Sequence, residues 1–273
     1  MTVTKPMPEF DNPPVSEVAL SVEFSPLERW STNLAFSYGK LLQEDYPKME
    51  VHPALPSQIE KFGDDNWQPL QVKFEVVSPD SNRFWFLAEP AVWIIQIQKD
   101  RFILNWRKVR GDEKYPRYLA ELRPRFAQEW ERFQKFIEQQ GAGNINVRQC
   151  EVTYVNDILR GEGWQTMSDG LELIAPLAGD KVSQFLPPPE SLSFTAAYLF
   201  PEEQGRLHVS VNHALRQLDS KEVLQMRLLA RGRPQSSTSE SILNLIDTGR
   251  EWVVRGFADM TTKKAHAIWG RKQ

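Results

Sequence analysis

The stretch VSEVALSVEF, residues 15–24, alternates between apolar and polar or small side chains. Val18, Leu20, Val22 and Phe24 fall on one face, and glutamate, alanine and serine side chains fall on the other. Because successive side chains of a β-strand point to opposite faces, this period of two predicts a strand that buries one face. The stretch therefore favours a sheet protein with its core on one side.

Further elements follow this strand. Ser25-Pro26 predicts the start of a helix that ends before Pro47, since serine caps helices and proline suits their first position. The clearest hairpin pairs residues 92–98 with 101–109, and strands are predicted at 71–77 and 82–88. Four prolines predict irregular chain between residues 47 and 69.

The same mixture of helices and strands continues along the chain. A long helix is predicted over 115–140, with a kink or break at Pro124. A strand at 147–155 and a loop-rich stretch at 160–190 follow. The remaining prediction comprises strands at 192–200, 206–214 and 223–230, a helix at 239–257 and a short helical tail at 261–269.

The element order predicts an α+β fold of antiparallel sheets. We expect two meanders, each covered by long amphipathic helices, and duplication of one half is an open alternative. The predicted organisation is an extended arm at 1–14, an N-terminal α+β half at 15–160, a loop-rich connection at 161–190 and a C-terminal meander plus helix at 191–273. The two halves are expected to pack as one unit.

Composition favours a cytoplasmic globular protein. The 273 residues are 41% hydrophobic and 25% charged, and the net charge of -3 gives no global attraction to nucleic acid or anionic membranes. The N-terminus lacks the pattern of a signal peptide, and no apolar run is long enough for a membrane helix. The single cysteine, Cys150, fits a reducing compartment and is expected to be a buried hydrophobe.

The sequence contains no motif from which a catalytic, cofactor or metal site can be predicted. Its four histidines are not arranged as metal ligands, and His208 and His213, five residues apart on one predicted strand, should face opposite sides. The glycines at 141 and 143 follow a helix and precede a strand, the wrong order for a phosphate-binding loop. We therefore predict no catalytic residue, no cofactor and no metal.

A basic stretch at residues 99–135 is one candidate surface. It carries eleven basic and six acidic residues with interleaved aromatics, a pattern typical of nucleic-acid binding. Core aromatics beside a solvated charged helix face would give the same pattern, and we favour that interpretation. The candidate nucleic-acid or partner residues here are Arg101, Arg107, Lys108, Arg110 and Arg117.

A predicted strand near residue 210 carries the second candidate surface. His208, Ser210 and Asn212 share one of its faces. They could form a binding face, although the wet side of an antiparallel sheet is the preferred interpretation. Trp164 lies between glycine and polar residues in a loop, and it is expected to be exposed.

Several short segments spread along the chain form a recognisable set: PPVxEV at 13–18, NWRK at 105–108, YPRY at 115–118, VTYVN at 152–156, LID at 245–247, EW at 251–252, Phe257 and WGR at 269–271. Together they resemble a sporadically distributed, functionally uncharacterised family of bacterial proteins of about this length. The likeness runs from about residue 13 to 271. The resemblance implies an accessory gene, such as those of defence islands or toxin–antitoxin pairs, and carries no catalytic residue.

Three functions therefore remain open. The leading hypothesis is a non-enzymatic interaction or regulatory protein, whose partner is encoded nearby or is a second copy of the chain. An alternative is a nucleic-acid-binding accessory protein that uses residues 99–135. A third is an enzyme whose site is scattered over loops.

Overall fold

The computed structural model describes residues 6–63, 82–179 and 185–272. Its strands are β1 (Val15–Phe24), β2 (Lys48–Pro53), β3 (Asn82–Leu87), β4 (Trp93–Gln98), β5 (Arg101–Arg107), β6 (Val147–Leu159), β7 (Ser193–Leu199), β8 (Gly205–Leu215) and β9 (Glu222–Gly232). Its helices are α1 (Thr32–Leu42), α2 (Arg123–Gln139), α3 (Met167–Leu171), α4 (Ser239–Met260) and α5 (Lys263–Ile268). A π-helical turn spans Tyr118–Leu122, and a 3₁₀ turn spans Pro201–Glu203. The strand predicted at 71–77 lies outside the described residues.

All nine of these strands belong to one antiparallel sheet, in the order β2-β3-β4-β5-β1-β6-β9-β8-β7. The predicted α+β class with antiparallel strand pairing is confirmed. The prediction of separate sheets is wrong, because β1 and β6 pair with each other and place Leu20 opposite Val152. Alternation predicts a strand but not its neighbours, so the sequence could not show that the two halves share a sheet.

The helix side of the sheet is the apolar core. The alternating residues of β1 that were predicted to be buried are almost inaccessible, and α4 packs on β6, β8 and β9 while α2 contacts β5. Aromatic rings fill the space under α2: the Phe102 centroid lies 5.5 Å from that of Trp130 and 5.2 Å from that of Phe133. Gly249 lets α4 approach closely, since an added Cβ would lie 3.0 Å from Val152 Cγ2. This side supplies most of the hydrophobic stabilisation.

Two helix boundaries differ from the sequence prediction. α1 begins at Thr32, not at Pro26, because Ser31 rather than Ser25 accepts a hydrogen bond from the Leu34 amide as N-cap. The chain between them stays tied to the sheet instead, where the Ser25 amide donates to the Asn146 carbonyl at 2.9 Å. At the kink or break predicted for Pro124 the helix changes type without an interruption, since the π-helical turn Tyr118–Leu122 passes directly into α2 at Arg123.

Two further predictions fail. Residues 48–53, expected to be irregular, form strand β2 on the β3 edge, where Pro53 occupies its end and removes no central hydrogen bond. Trp164 was expected to be exposed, but it is 2% accessible. Its indole N–H donates to the Ile158 carbonyl at 3.0 Å, which satisfies the polar atom in the interior.

Within the described ranges, no helix is long and apolar enough to cross a membrane.

Candidate functional site on the polar face of the sheet

The side of the sheet opposite the helix-covered core is unusually rich in charge; we call it the polar face. It is formed by the alternate residues of the central strands that point away from the helices. Its charged members are Glu17, Glu23, Arg101, Arg107, Glu151, Asp157, Arg206, His208, Arg227 and Arg231. Glutamine, asparagine, serine and threonine side chains lie among them.

Much of this polar face is buried. Glu23, Gln98 and Gln149 each expose 1% of their surface, and Arg101 exposes 5%. The wet side of an antiparallel sheet would leave such groups in water. Burial of a charged group costs free energy unless the group has hydrogen-bond or ion-pair partners. The buried charges of the polar face therefore need partners, either on the sheet or on a segment that lies against it.

A chain of ion pairs links the central strands. Arg101 on β5 contacts Glu23 on β1, and its guanidinium also lies 3.7 Å from Glu151 on β6. Arg231 on β9 donates to Glu151 at 2.8 Å. Burial raises the pKa of Glu23, although the Arg101 charge and a hydrogen bond from Ser57 act in the opposite direction. The charged form of Glu23 therefore depends on these two partners.

Residues 54–62, which we call the strap, cross this polar face after strand β2. At its first half, the Leu55 amide donates to Gln98 Oε1 at 2.9 Å, and Gln98 Nε2 donates to the Leu55 carbonyl at 3.0 Å. The Ser57 hydroxyl then donates to Glu23. The strap thus meets side chains from β4 and β1 in turn.

The second half of the strap is bound in the same way by β6, β9 and β8. The Glu60 amide donates to Gln149 Oε1 at 2.8 Å, and Gln149 Nε2 donates to the Gln58 carbonyl at 3.1 Å. Arg231 Nη2 donates to the Gln58 side chain at 3.1 Å. The Glu60 carboxylate contacts Arg206 and lies 2.9 Å from His208 Nε2.

The environment of Glu60 favours its charged form. Burial alone would raise its pKa, but the hydrogen bond from His208 and the charges of His208 and Arg206 outweigh it. The pKa of the Glu60 carboxyl is therefore lowered from its usual value. The strap is fastened at this end by a charge-assisted contact, which is stronger than a neutral hydrogen bond.

Beyond the strap, the polar face carries a second network. Asn105 Nδ2 donates to Glu17 at 2.6 Å, and Gln96 Nε2 donates to Asn105 Oδ1 at 2.7 Å. Arg83 on β3 donates to Gln96 at 2.9 Å. Burial raises the pKa of the Glu17 carboxyl despite its bond from Asn105. These amide bridges order the face but do not converge on a reaction centre.

The candidate basic residues of the stretch 99–135 lie in different environments. Arg101 is buried in the ion-pair chain, so it is not a surface residue as the sequence predicted. Arg107 is half-buried beside the Trp85 ring, at 5.7 Å from its centroid, and Lys108 is also half-buried. Arg110 and Arg117 are exposed on the connection after β5. Nucleic-acid binding by this stretch stays a prediction.

The three polar residues of β8 do share a face. His208 and Ser210 are half-buried, Asn212 is exposed, and the intervening Val209 and Val211 are buried. His208 lies against Glu60 of the strap, whereas Asn212 accepts a hydrogen bond from Ser193 at 2.9 Å. The His208 end of this face therefore contacts the strap and the Asn212 end is exposed, and binding by this face stays a prediction.

A second candidate surface lies on the helix side at the β2 edge of the sheet. A groove of about 600 Å³ opens between α1 and β2, which we call the edge groove. Its lining includes Phe36, Gly39, Lys40, Tyr46, Met49 and Phe86. Gly39 allows the close approach of α1, because an added Cβ would lie 2.8 Å from the Phe86 ring.

Exposed apolar side chains surround this edge groove. Phe36 is 42% accessible, Met49 is 37% accessible and Val51 is 51% accessible. Met49 and Val51 pair with Phe86 and Phe84, so they point to the helix side of β2. Lys40 is the one charged side chain among the described residues that line the groove.

The groups that organise the polar face were not predicted from the sequence. Gln98, Gln149 and Glu60 have no signature in the sequence, because each acts on residues 43 to 148 positions away. No group of three or more histidine, cysteine, aspartate or glutamate residues in the described ranges is placed to hold a metal ion. Comparison of the chain with known protein families, curated proteins and solved structures finds no significant match.

Proposed function

We propose that this chain is a protein-interaction or regulatory protein that binds an extended segment of its partner along the edge groove. The observation that carries the proposal is the coincidence of an edge strand with an open apolar groove. β2 ends the described sheet on one side, and an edge strand presents backbone groups to which another chain can pair. Side chains of an added strand would alternate into the groove.

The chemistry of the edge groove indicates what such a segment would carry. Phe36, Met49 and Val51 are large apolar side chains that a partner would remove from water, and burial of apolar area contributes about 25 cal/mol per Å². Lys40 adds a positive charge to the lining. An apolar, β-branched segment with one nearby carboxylate would complement both features.

The two sides of the β2 strand differ in chemistry, and the difference supports binding of the partner on the helix side, at the edge groove. Glu50 on the polar side forms an ion pair with Lys48 at 3.0 Å and contacts His52 at 3.1 Å. The helix-side residues Met49 and Val51 are left exposed. The charged side therefore protects against indiscriminate pairing, and the apolar side selects a partner with matching side chains.

Co-expression with the product of the neighbouring gene, followed by size-exclusion chromatography, tests the proposal. We expect a stoichiometric complex for the wild type and its loss for Val51→Asp, which places a charge in the contact. Leu215→Asp is the matched control, because Leu215 is 68% accessible and lies on β8 far along the sheet order. A chain that elutes as a monomer with no partner, or a complex unaffected by Val51→Asp, contradicts the proposal.

A second copy of the chain is the other occupant that this experiment can detect. If the wild type alone forms a dimer that Val51→Asp dissociates, the edge groove joins two copies of the chain. An interface of this kind would be expected to bury more than about 1,000 Å² in total. Leu215→Asp should leave that dimer unchanged.

A further inference from the structure

The strap is bound by the sheet in the manner of a peptide ligand. Six adjacent strands, β4, β5, β1, β6, β9 and β8, each contribute at least one side chain to it. We propose that the polar face is a peptide-binding surface occupied by the strap. An extended segment of a partner protein that carries a carboxylate would bind there in its place. This surface is separate from the edge groove.

Recognition of the strap backbone is the first support. Gln98 both accepts from and donates to Leu55, and Gln149 accepts from Glu60 while it donates to Gln58. Each glutamine amide thus offers one donor and one acceptor, as the backbone of a neighbouring strand would. Such bonds are made to any extended chain, so they do not require the sequence of the strap.

The carboxylate site is the second support. Arg206 and His208 on β8 both contact the Glu60 carboxylate, and Arg206 also donates to the Lys61 carbonyl at 3.1 Å. These two side chains come from the sheet, and Glu60 comes from the strap. A partner segment would satisfy them only with a carboxylate at the corresponding position.

The third support is that the sheet residues of this contact are more buried than the strap residues. The sheet residues Glu23, Gln98 and Gln149 are almost inaccessible, whereas each strap residue as a whole is half-buried or exposed. The Glu60 side chain, which is 8% accessible, is the exception. The strap is held by polar contacts that a second peptide can reproduce. Arg101 Nε has no hydrogen-bond partner in the described structure, so the strap leaves part of the surface unsatisfied.

Binding of a labelled peptide to the full chain tests the inference. The probe is a fluorescent peptide of residues 53–63, PALPSQIEKFG, which contains the strap and one flanking residue on each side. In the double variant Ser57→Ala, Glu60→Ala the strap loses its side-chain contacts with Glu23, Arg206 and His208, so it competes less well. Fluorescence anisotropy is expected to show at least about tenfold tighter peptide binding to this variant than to the wild type.

Changes to the probe and to the sheet sharpen the test. A peptide with glutamine in place of the glutamate is expected to bind about tenfold more weakly, because it lacks the charge for Arg206 and His208. Adding Gln149→Ala to the double variant should abolish binding, and Gln217→Ala, a change of an exposed glutamine, should not. Val51→Asp should leave peptide binding unchanged, which separates this test from that of the edge groove.

The inference is overturned if the double variant retains cooperative unfolding but binds no peptide, or if Gln149→Ala has no effect. Should the double variant fail to fold, the wild type answers the same question. Excess peptide is then expected to accelerate hydrogen exchange at the Leu55 and Glu60 amides, which donate to the two glutamines. Unchanged exchange at saturating peptide would overturn the inference.

Discussion

The two faces of the one sheet are stabilised by different forces. On the helix side, Val18, Leu20 and Val22 are buried among aromatic rings, and the contacts are apolar. On the polar face, Glu23 of the same strand enters an ion pair and Glu17 accepts an amide hydrogen bond. Apolar packing contributes free energy without directional demands, whereas each polar contact requires a matched partner. The comparison indicates that the helix side maintains the fold and the polar face selects what lies on it.

The largest expected effect is on the helix side. Phe102→Ala should lower the free energy of unfolding by about 3–5 kcal/mol, because the ring is fully buried among three aromatic rings and its loss leaves a cavity. Urea denaturation measures the change. Leu119→Ala, at a side chain that is 73% accessible, is the control and should cost less than about 0.5 kcal/mol. A loss below about 1 kcal/mol for Phe102→Ala would contradict this account of the core.

Breaking the ion-pair chain should have the next largest effect. Arg101→Met leaves Glu23 buried without its charge partner, and removal of one member of a buried pair costs about 3 kcal/mol. Adding Glu23→Leu should restore much of that loss, since an apolar pair has no charge to desolvate. If the double variant is as unstable as Arg101→Met, packing rather than charge governs this site.

A smaller effect is expected for Gln149→Ala. It removes the two hydrogen bonds to the strap and should lower the free energy of unfolding by about 1–2 kcal/mol. Hydrogen exchange should become faster at Glu60 and remain unchanged at Leu20, in the middle of β1. Gln217→Ala serves as the matched control. Equal acceleration at both amides would mean that the strap and the sheet open together.

The smallest expected effect is the pH dependence of Glu60. A carboxyl whose pKa is lower in the folded than in the unfolded state adds stability above the unfolded value, about 4.5, and loses it as the pH falls through the folded pKa. Between about pH 5 and pH 3, the wild type should therefore lose more stability than Glu60→Gln. Chemical denaturation across this range measures the difference. Parallel curves would show that Glu60 is not held as a charged group.

Local patterns in the sequence predicted the sheet elements better than their arrangement. The alternation at residues 15–24 and the hairpin around Lys99 depend on neighbouring residues, and both are present. Strand β2 was not predicted because prolines surround it. Pro53 lies at the end of the strand, where the missing backbone N–H removes no central hydrogen bond of the sheet. The pairing of β1 with β6 joins residues more than 100 positions apart, and no local pattern specifies it.

The candidate site was less accessible to sequence analysis. His208 and Ser210 were correctly placed on one face, because strand alternation fixes side-chain direction. Arg101 was taken for a surface residue, since its charge alone does not reveal that Glu23 and Glu151 surround it. Glutamines such as Gln149 carry no signal at all, because an exposed glutamine and a buried backbone-binding one look identical in the sequence.

Native-state hydrogen exchange tests most directly whether the polar face binds the strap as a separable ligand. The Leu55 and Glu60 amides should be protected but should open with a lower free energy than the Leu20 and Val152 amides at the centre of the sheet. Opening of all four amides only by global unfolding would make the strap an inseparable part of the core, and that result would contradict the account.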